Sequence, residues 1–279
     1  MEDNELMFRA FENSLYYKNK ERFKDLEDTV KEFNVVHNGD NIIQDDIFNV
    51  LKNYSEKKDY PFDLFRYPVD DEEFCACTFI REGRIFVLVN TAMPLSKQIF
   101  AAAHELYHIW YFFEEDNLSL LKHGSILKSN VIDQETTENE DIEANAFAGL
   151  LLAPEDTIRK QMKVYRIESQ NITFKDIIKL MDIFAIPYKA MILRLYEVGI
   201  LSDDKVKELF LKTPEDIQQT IELTNLGKRW INTSREDLVF GSLKELLYEN
   251  ERYELITEER QKSDSSRLDE LTRILKRGK

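Results

Sequence analysis

His104, Glu105 and His108 stand in the order H-E-x-x-H within His104-Glu105-Leu106-Tyr107-His108. Residues four apart lie one above the other on a helix, so His104 and His108 can offer two imidazoles to one metal ion. Glu105, beside the first imidazole, can reach a water on the metal rather than the metal itself, which makes it the candidate general base. The chain has only 4 His in 279 residues, so two at this spacing are informative. The flanks, Gln98-Ile99-Phe100-Ala101-Ala102-Ala103 and Ile109-Trp110-Tyr111-Phe112-Phe113, are strongly apolar. Polar groups inside such a helix need hydrogen-bond partners or a metal.

Catalytic zinc takes three protein ligands and keeps its fourth position for water, so a third ligand must come from elsewhere. The segment from Glu140 to Pro154 has a helical period, with Asp141, Asn145, Ala148 and Leu152 on one face and Glu143, Phe147 and Leu150 on another. Small residues at Ala144 and Ala148 let this helix approach the His-bearing one closely. Asp141 could then bind the metal, and Asn145, one turn on, could hydrogen-bond the far nitrogen of a ligand His. Glu140 and Glu143 are longer neighbours that could take the place of Asp141 after a modest helix rotation.

Two stretches together, Phe100 to His108 and Asn145-x-Phe147-Ala148-x-x-Leu151-Leu152-x-Pro154, resemble the ImmA/IrrE metallopeptidases, cytoplasmic gluzincin-like enzymes of bacteria and their mobile elements. The resemblance covers roughly residues 60 to 210. It implies a zincin-like catalytic core and an acidic ligand four residues before Asn145, which in the family is usually Glu and here is Asp141. It also implies a narrow protein substrate: a transcriptional repressor or antitoxin-like regulator cut in response to stress or mobile-element induction. Many members carry their own DNA-binding domain at the N-terminus. Residues 1–60 show no convincing one, so the regulator is expected to be a separate chain.

The rest of the chain must position these residues. The pattern predicts an α+β fold, predominantly helical, with a small sheet packed on the H-E-x-x-H helix. The expected divisions are an N-terminal helical region over 1–58, a zincin-like core over 59–165, a helix-turn-helix-like unit over 166–211 and a C-terminal helical extension over 212–279. Residues 6 to 34 read as one amphipathic helix, broken at Asn38-Gly39-Asp40-Asn41 and followed by a shorter helix at about 43 to 54. Strands are expected at Phe62 to Tyr67, Phe74 to Arg81 and Arg84 to Asn90, the last two as a hairpin with Ile85, Val87 and Val89 on one face. An edge strand of such a sheet could pair with an extended substrate. Glu114 to Asn139 reads as a polar loop or lid carrying His123. From Pro154, expected at a first helical position, onward everything reads as helix, with caps at Thr173 and at Thr213-Pro214. Phe174 to Ile200 reads as two short helices joined at Ala185-Ile186-Pro187-Tyr188.

Hydrophobic content of 43% and charge of 33% indicate a folded globular protein. No apolar run reaches the length of a membrane span, and Met1-Glu2-Asp3-Asn4-Glu5 is acidic where a signal peptide is basic, so the expected location is the cytoplasm. The net charge of -15 argues against a broad nucleic-acid surface, and the helix-turn-helix-like unit is expected to serve packing. The basic stretches at Arg159 to Arg166 and Arg273 to Lys279 read as solvated helix faces. Cys75 and Cys77, spaced C-x-C on a strand, are expected on one face as core thiols without a mutual disulfide.

These features predict a zinc endopeptidase in which His104, His108 and Asp141 hold the metal, Glu105 is the base and Asn145 an orienting neighbour. Tyr107, Tyr111 and His123 are available as partners for a developing oxyanion, with Tyr107 directed away from the ligand face. His37 has no evident link to the site. Two rival readings share these residues: a metallopeptidase-like scaffold that binds a regulator without cutting it, and a hydrolase of a non-peptide amide.

Overall fold

In the computed structural model, residues 12–38, 42–58, 60–114, 125–132 and 138–277 are described. The chain opens with α1 (Leu15–Lys18) and α2 (Lys20–His37). The single helix expected over 6–34 is therefore two helices in its described part; residues 6–11 lie outside the described residues. Asn19 makes the break: its extended backbone leaves the helix, and its side-chain oxygen accepts from the Arg22 amide at 3.1 Å, capping α2. Asn38 closes α2, and the rest of the expected break, 39–41, lies outside the described residues. A short 3-10 turn at Gln44–Asp46 leads into α3 (Ile47–Lys57).

Three strands fall where the pattern placed them: β1 (Phe62–Tyr67), β2 (Phe74–Arg81) and β3 (Arg84–Asn90). Glu82 and Gly83 both take positive φ, the backbone a tight two-residue hairpin turn requires. Ile85, Val87 and Val89 are fully buried and form the inner face. Two further strands complete a mixed sheet of order β4-β2-β3-β1-β5, with β1 parallel to β3 and the other pairs antiparallel. The first of them, β4 (Ser125–Lys128), and α5 (Ser129–Ile132) lie in the region expected to be loop or lid. His123 lies outside the described residues.

The pairing of β2 with β4 shifts between Phe74 and Ala76, so a bulge sits at Cys75. This corrects the expectation for the two thiols. Neither forms a disulfide, but Cys75 is buried whereas Cys77 is only partly so, paired with Leu88 and two residues from the half-exposed Phe79.

The inner face of the sheet covers α4 (Leu95–Glu114), the H-E-x-x-H helix. No Gly or Pro interrupts it, and Gln98 anchors its entry by donating to the Met93 carbonyl at 2.7 Å. Against α4 packs α6 (Asn139–Leu152), which is buried on all sides from Ala144 to Leu152, as expected of a helix apolar all round. Ala144 and Ala148 have no exposed surface, and α2 covers α6 from the other side.

Next come α7 (Glu155–Tyr165), α8 (Phe174–Phe184), α9 (Tyr188–Glu197), α10 (Asp203–Phe210) and α11 (Pro214–Thr224). Pro154 is the N-cap of α7 rather than its first residue, its ψ of 143° still extended. Thr173 and Thr213 form reciprocal capping boxes with Asp176 and Asp216, and Pro214 opens α11. Met191, Ile192 and Leu195 of α9 are fully buried.

The C-terminal region departs from its all-helical expectation. After α12 (Lys228–Ile231) the chain runs extended along the entry of α4: Leu95 N donates to Asn232 O at 2.9 Å, and Ser234 N to Thr91 O at 3.1 Å. It then forms β5 (Val239–Phe240) on the free edge of β1. A two-residue strand carries too little alternation to be read from sequence. The chain closes with α13 (Leu243–Arg252) and α14 (Glu258–Arg277). No helix among the described residues is long and apolar enough to cross a membrane.

Candidate metal centre

His104 and His108 project from the same side of α4, their Nε2 atoms 3.2 Å apart. Asp141, in the first turn of α6, brings Oδ1 to 3.5 Å from His104 Nε2 and 4.0 Å from His108 Nε2. Donors at about 2.0–2.2 Å around a tetrahedral ion stand roughly 3.3–3.6 Å from one another. The three atoms thus have nearly the mutual spacing that one small cation requires. The two imidazoles are almost wholly buried, while the Asp141 side chain is 23% exposed, so the group is open on the carboxylate side.

The chemistry of the donors fits as well. Asn145, one turn after Asp141, donates through Nδ2 to the Val131 carbonyl at 2.7 Å, which turns its Oδ1 to His104 Nδ1 at 2.9 Å. An oxygen there makes Nδ1 the protonated nitrogen and leaves the Nε2 lone pair facing His108 and Asp141. Burial, reinforced by the neighbouring His104, pushes His108 down to about 3, so its ring is neutral at physiological pH and can donate an electron pair. Neutral imidazoles with a carboxylate are a donor set suited to zinc and similar divalent ions.

Of the two alternative carboxylates, Glu140 is exposed and lies outside the cluster, its pKa raised by partial burial and by the crowd of Asp141, Glu138 and Glu143. Glu143 is engaged elsewhere. Its Oε2 accepts from Arg22 Nε at 3.0 Å, Arg22 Nη2 at 2.7 Å and the Tyr107 hydroxyl at 2.7 Å. Tyr107 is thereby committed to Glu143, with burial and then that hydrogen bond holding its pKa far above the ordinary tyrosine range. Tyr111 stacks on Tyr107 with ring centroids 5.7 Å apart. His37 packs between Phe33 and Tyr54, outside the cluster, as expected. Arg22 was not singled out in the sequence: it lies 121 residues from Glu143, on an ordinary charged helix face.

Glu105 is fully buried, next in sequence to His104. Its charge reaches Cys77 on β2, where burial first and Glu105 second push the thiol up to about 11. A carboxylate in so dry a place is suited to holding and releasing a proton.

A buried helix bearing paired histidines, a second helix bringing a carboxylate to them, and a mixed sheet above them define an α+β domain with a candidate metal site. A family model described as the IrrE N-terminal-like domain, of the M78 peptidases, matches residues 50–196. The chain belongs to that family, and its helical content and the small mixed sheet among the described residues agree with the zincin-like fold. No curated protein matches the chain.

Proposed function

We propose that the protein is a cytoplasmic zinc endopeptidase that cuts a specific regulatory protein, a repressor or antitoxin, borne on a separate chain. The observation that carries this reading is the convergence of His104, His108 and Asp141 within 4.8 Å of one another, beside the buried Glu105. His104 and His108 would hold zinc through their Nε2 atoms and Asp141 through its carboxylate. Zinc bound there would supply Lewis-acid chemistry, lowering the pKa of a water toward about 7. Glu105 is placed to take a proton from the attacking water and to return it to the leaving amine, so that the C–N bond would break with no net proton change. Asn145 keeps His104 in the tautomer that ligates. Burial of the histidines excludes bulk water from their side of the site, while the exposed side of Asp141 leaves room for an extended chain.

Metal analysis of the purified protein, joined to a comparison of protein termini in host cells carrying wild type or Glu105→Gln, tests the reading. We expect about one zinc per chain in both forms, and new internal termini in a small set of regulators with wild type alone. Absence of bound metal, or identical termini in both strains, would overturn it; metal retention with unchanged biological effect of Glu105→Gln would favour the non-cutting scaffold.

A further inference from the structure

The Arg22–Glu143–Tyr107 cluster joins three helices at one carboxylate oxygen: α2 through Arg22, α6 through Glu143 and α4 through Tyr107. Two of the three members are sequence neighbours of the metal-site residues. Tyr107 immediately precedes His108, and Glu143 stands between Asp141 and Asn145 on α6. Arg22 lies outside residues 50–196, so the clamp reaches into the family domain from the helical region before it. Tyr107 is fully enclosed, 1% exposed, and its ring lies edge-on to His108 with centroids 5.7 Å apart. Burial is compensated here by a charged partner: the Glu143 hydrogen bond raises the Arg22 pKa further, and the guanidinium stays charged at any accessible pH.

Asp141 needs such a device. Its carboxylate sits one methylene closer to its own backbone than a Glu would, so the backbone of α6 must lie nearer the histidines by roughly one C–C bond to deliver an oxygen at the same place. Nothing in Asp141 itself can hold α6 there; a cross-link between α6 and α4 close to the ligands can. Ala144 and Ala148 permit the close approach, while Phe147 against Tyr107 and Trp110 and the hydrogen bond of Asn145 to His104 hold part of it. The Tyr107 hydroxyl on Glu143 adds a further tie between α4 and α6, and Arg22 holds the same oxygen from α2.

We infer that Arg22 is a positioning residue for the metal site: it acts through Glu143 and Tyr107 to hold α6 at the distance from α4 that lets the short Asp141 side chain meet His104 and His108. This rests on the metal assignment proposed above. The direct contribution of the pair to stability is small, since both side chains are partly exposed; its effect falls on metal geometry.

Zinc and cobalt titration of the full chain tests it, comparing wild type with Arg22→Ala, Tyr107→Phe, Asp141→Glu and the double variant Arg22→Ala/Asp141→Glu. We expect Arg22→Ala and Tyr107→Phe each to weaken zinc binding about tenfold or more, the scale of losses from groups that orient ligands. The visible spectrum of bound cobalt, which reports coordination geometry, should change with them, while thermal unfolding stays cooperative. The longer carboxylate in Arg22→Ala/Asp141→Glu should recover affinity that Arg22→Ala lost. Wild-type affinity and an unchanged cobalt spectrum in both single variants overturn the inference and leave the metal assignment standing. Absence of metal binding by wild type overturns the metal assignment, and the inference with it. Should Arg22→Ala fail to fold, Tyr107→Phe, which removes one hydroxyl, decides alone.

Discussion

Asn145 stands directly behind His104, its Oδ1 2.9 Å from the ring Nδ1 while its Nδ2 is anchored to the Val131 carbonyl at 2.7 Å. One amide group therefore reads two polarities at once, and the anchor decides which end faces the histidine. A donor there would hold the opposite tautomer and turn a proton toward the metal position.

Asn145→Ala removes this orientation and leaves a polar imidazole nitrogen in a buried space. Zinc affinity should fall about 10–100-fold, measured by competition with a chromophoric chelator. Asn145→Asp keeps an acceptor on Nδ1 and should retain more affinity than Ala. Equal affinity of Asn145→Ala and wild type would show that His104 needs no partner.

Asp141→Ala deletes the only carboxylate among the described residues that shares the cluster with both histidines. Bound zinc should drop well below one per chain after dialysis. Glu143 cannot replace it while Arg22 and Tyr107 hold its oxygen, and Glu140 lies outside the cluster. Full metal retention would sink the assignment of Asp141.

Much of this site is legible in the sequence because its parts are local. His104, Glu105 and His108 are set by helical spacing, and Asp141 with Asn145 by the same spacing one helix later. The strands β1 to β3 follow from alternation and a turn of Glu82 and Gly83. What was illegible depends on distant pairing. Arg22 meets Glu143 only because α2 folds over α6, and β5 is a strand only because β1 offers it a free edge. Asn19 divides the first helix by capping α2, a role that the continuous apolar period hides. Likewise Cys75 is buried and Cys77 less so because a bulge at Cys75 breaks the alternation on which the C-x-C reading relied.

Gly149 offers a test of packing beneath the site. A Cβ there would fall 2.9 Å from Arg194 Cδ. Arg194 has little room to yield: it is 2% exposed, donates to the Ala153 carbonyl from Nε and Nη2 at 3.3 and 3.2 Å, and pairs with the equally buried Glu197 at 2.5 Å. Gly→Ala in a helix ordinarily gains about 1 kcal/mol, whereas overpacking a core costs about 1–3 kcal/mol. Gly149→Ala should therefore give no gain and up to about 2 kcal/mol net loss in urea unfolding; a stabilised variant would show that Arg194 moves freely.

Cys77 provides a pH readout of the charge on Glu105. Burial and then Glu105 raise the thiol to about 11 from its ordinary 9.0, against a smaller opposing effect of the Leu88 backbone hydrogen bond. Because the thiolate is the reactive form, alkylation of metal-free folded protein should be slow at pH 7 and rise toward pH 11. The sign for stability follows: the folded state keeps this proton to higher pH than the unfolded chain. Its contribution is therefore full below pH 9 and is lost as pH climbs through 11. In Glu105→Gln the negative charge is gone, so the midpoint of the alkylation profile should move down while burial still holds it above 9. A wild-type midpoint at 9, or no movement in Glu105→Gln, would place Cys77 beyond the reach of the Glu105 charge.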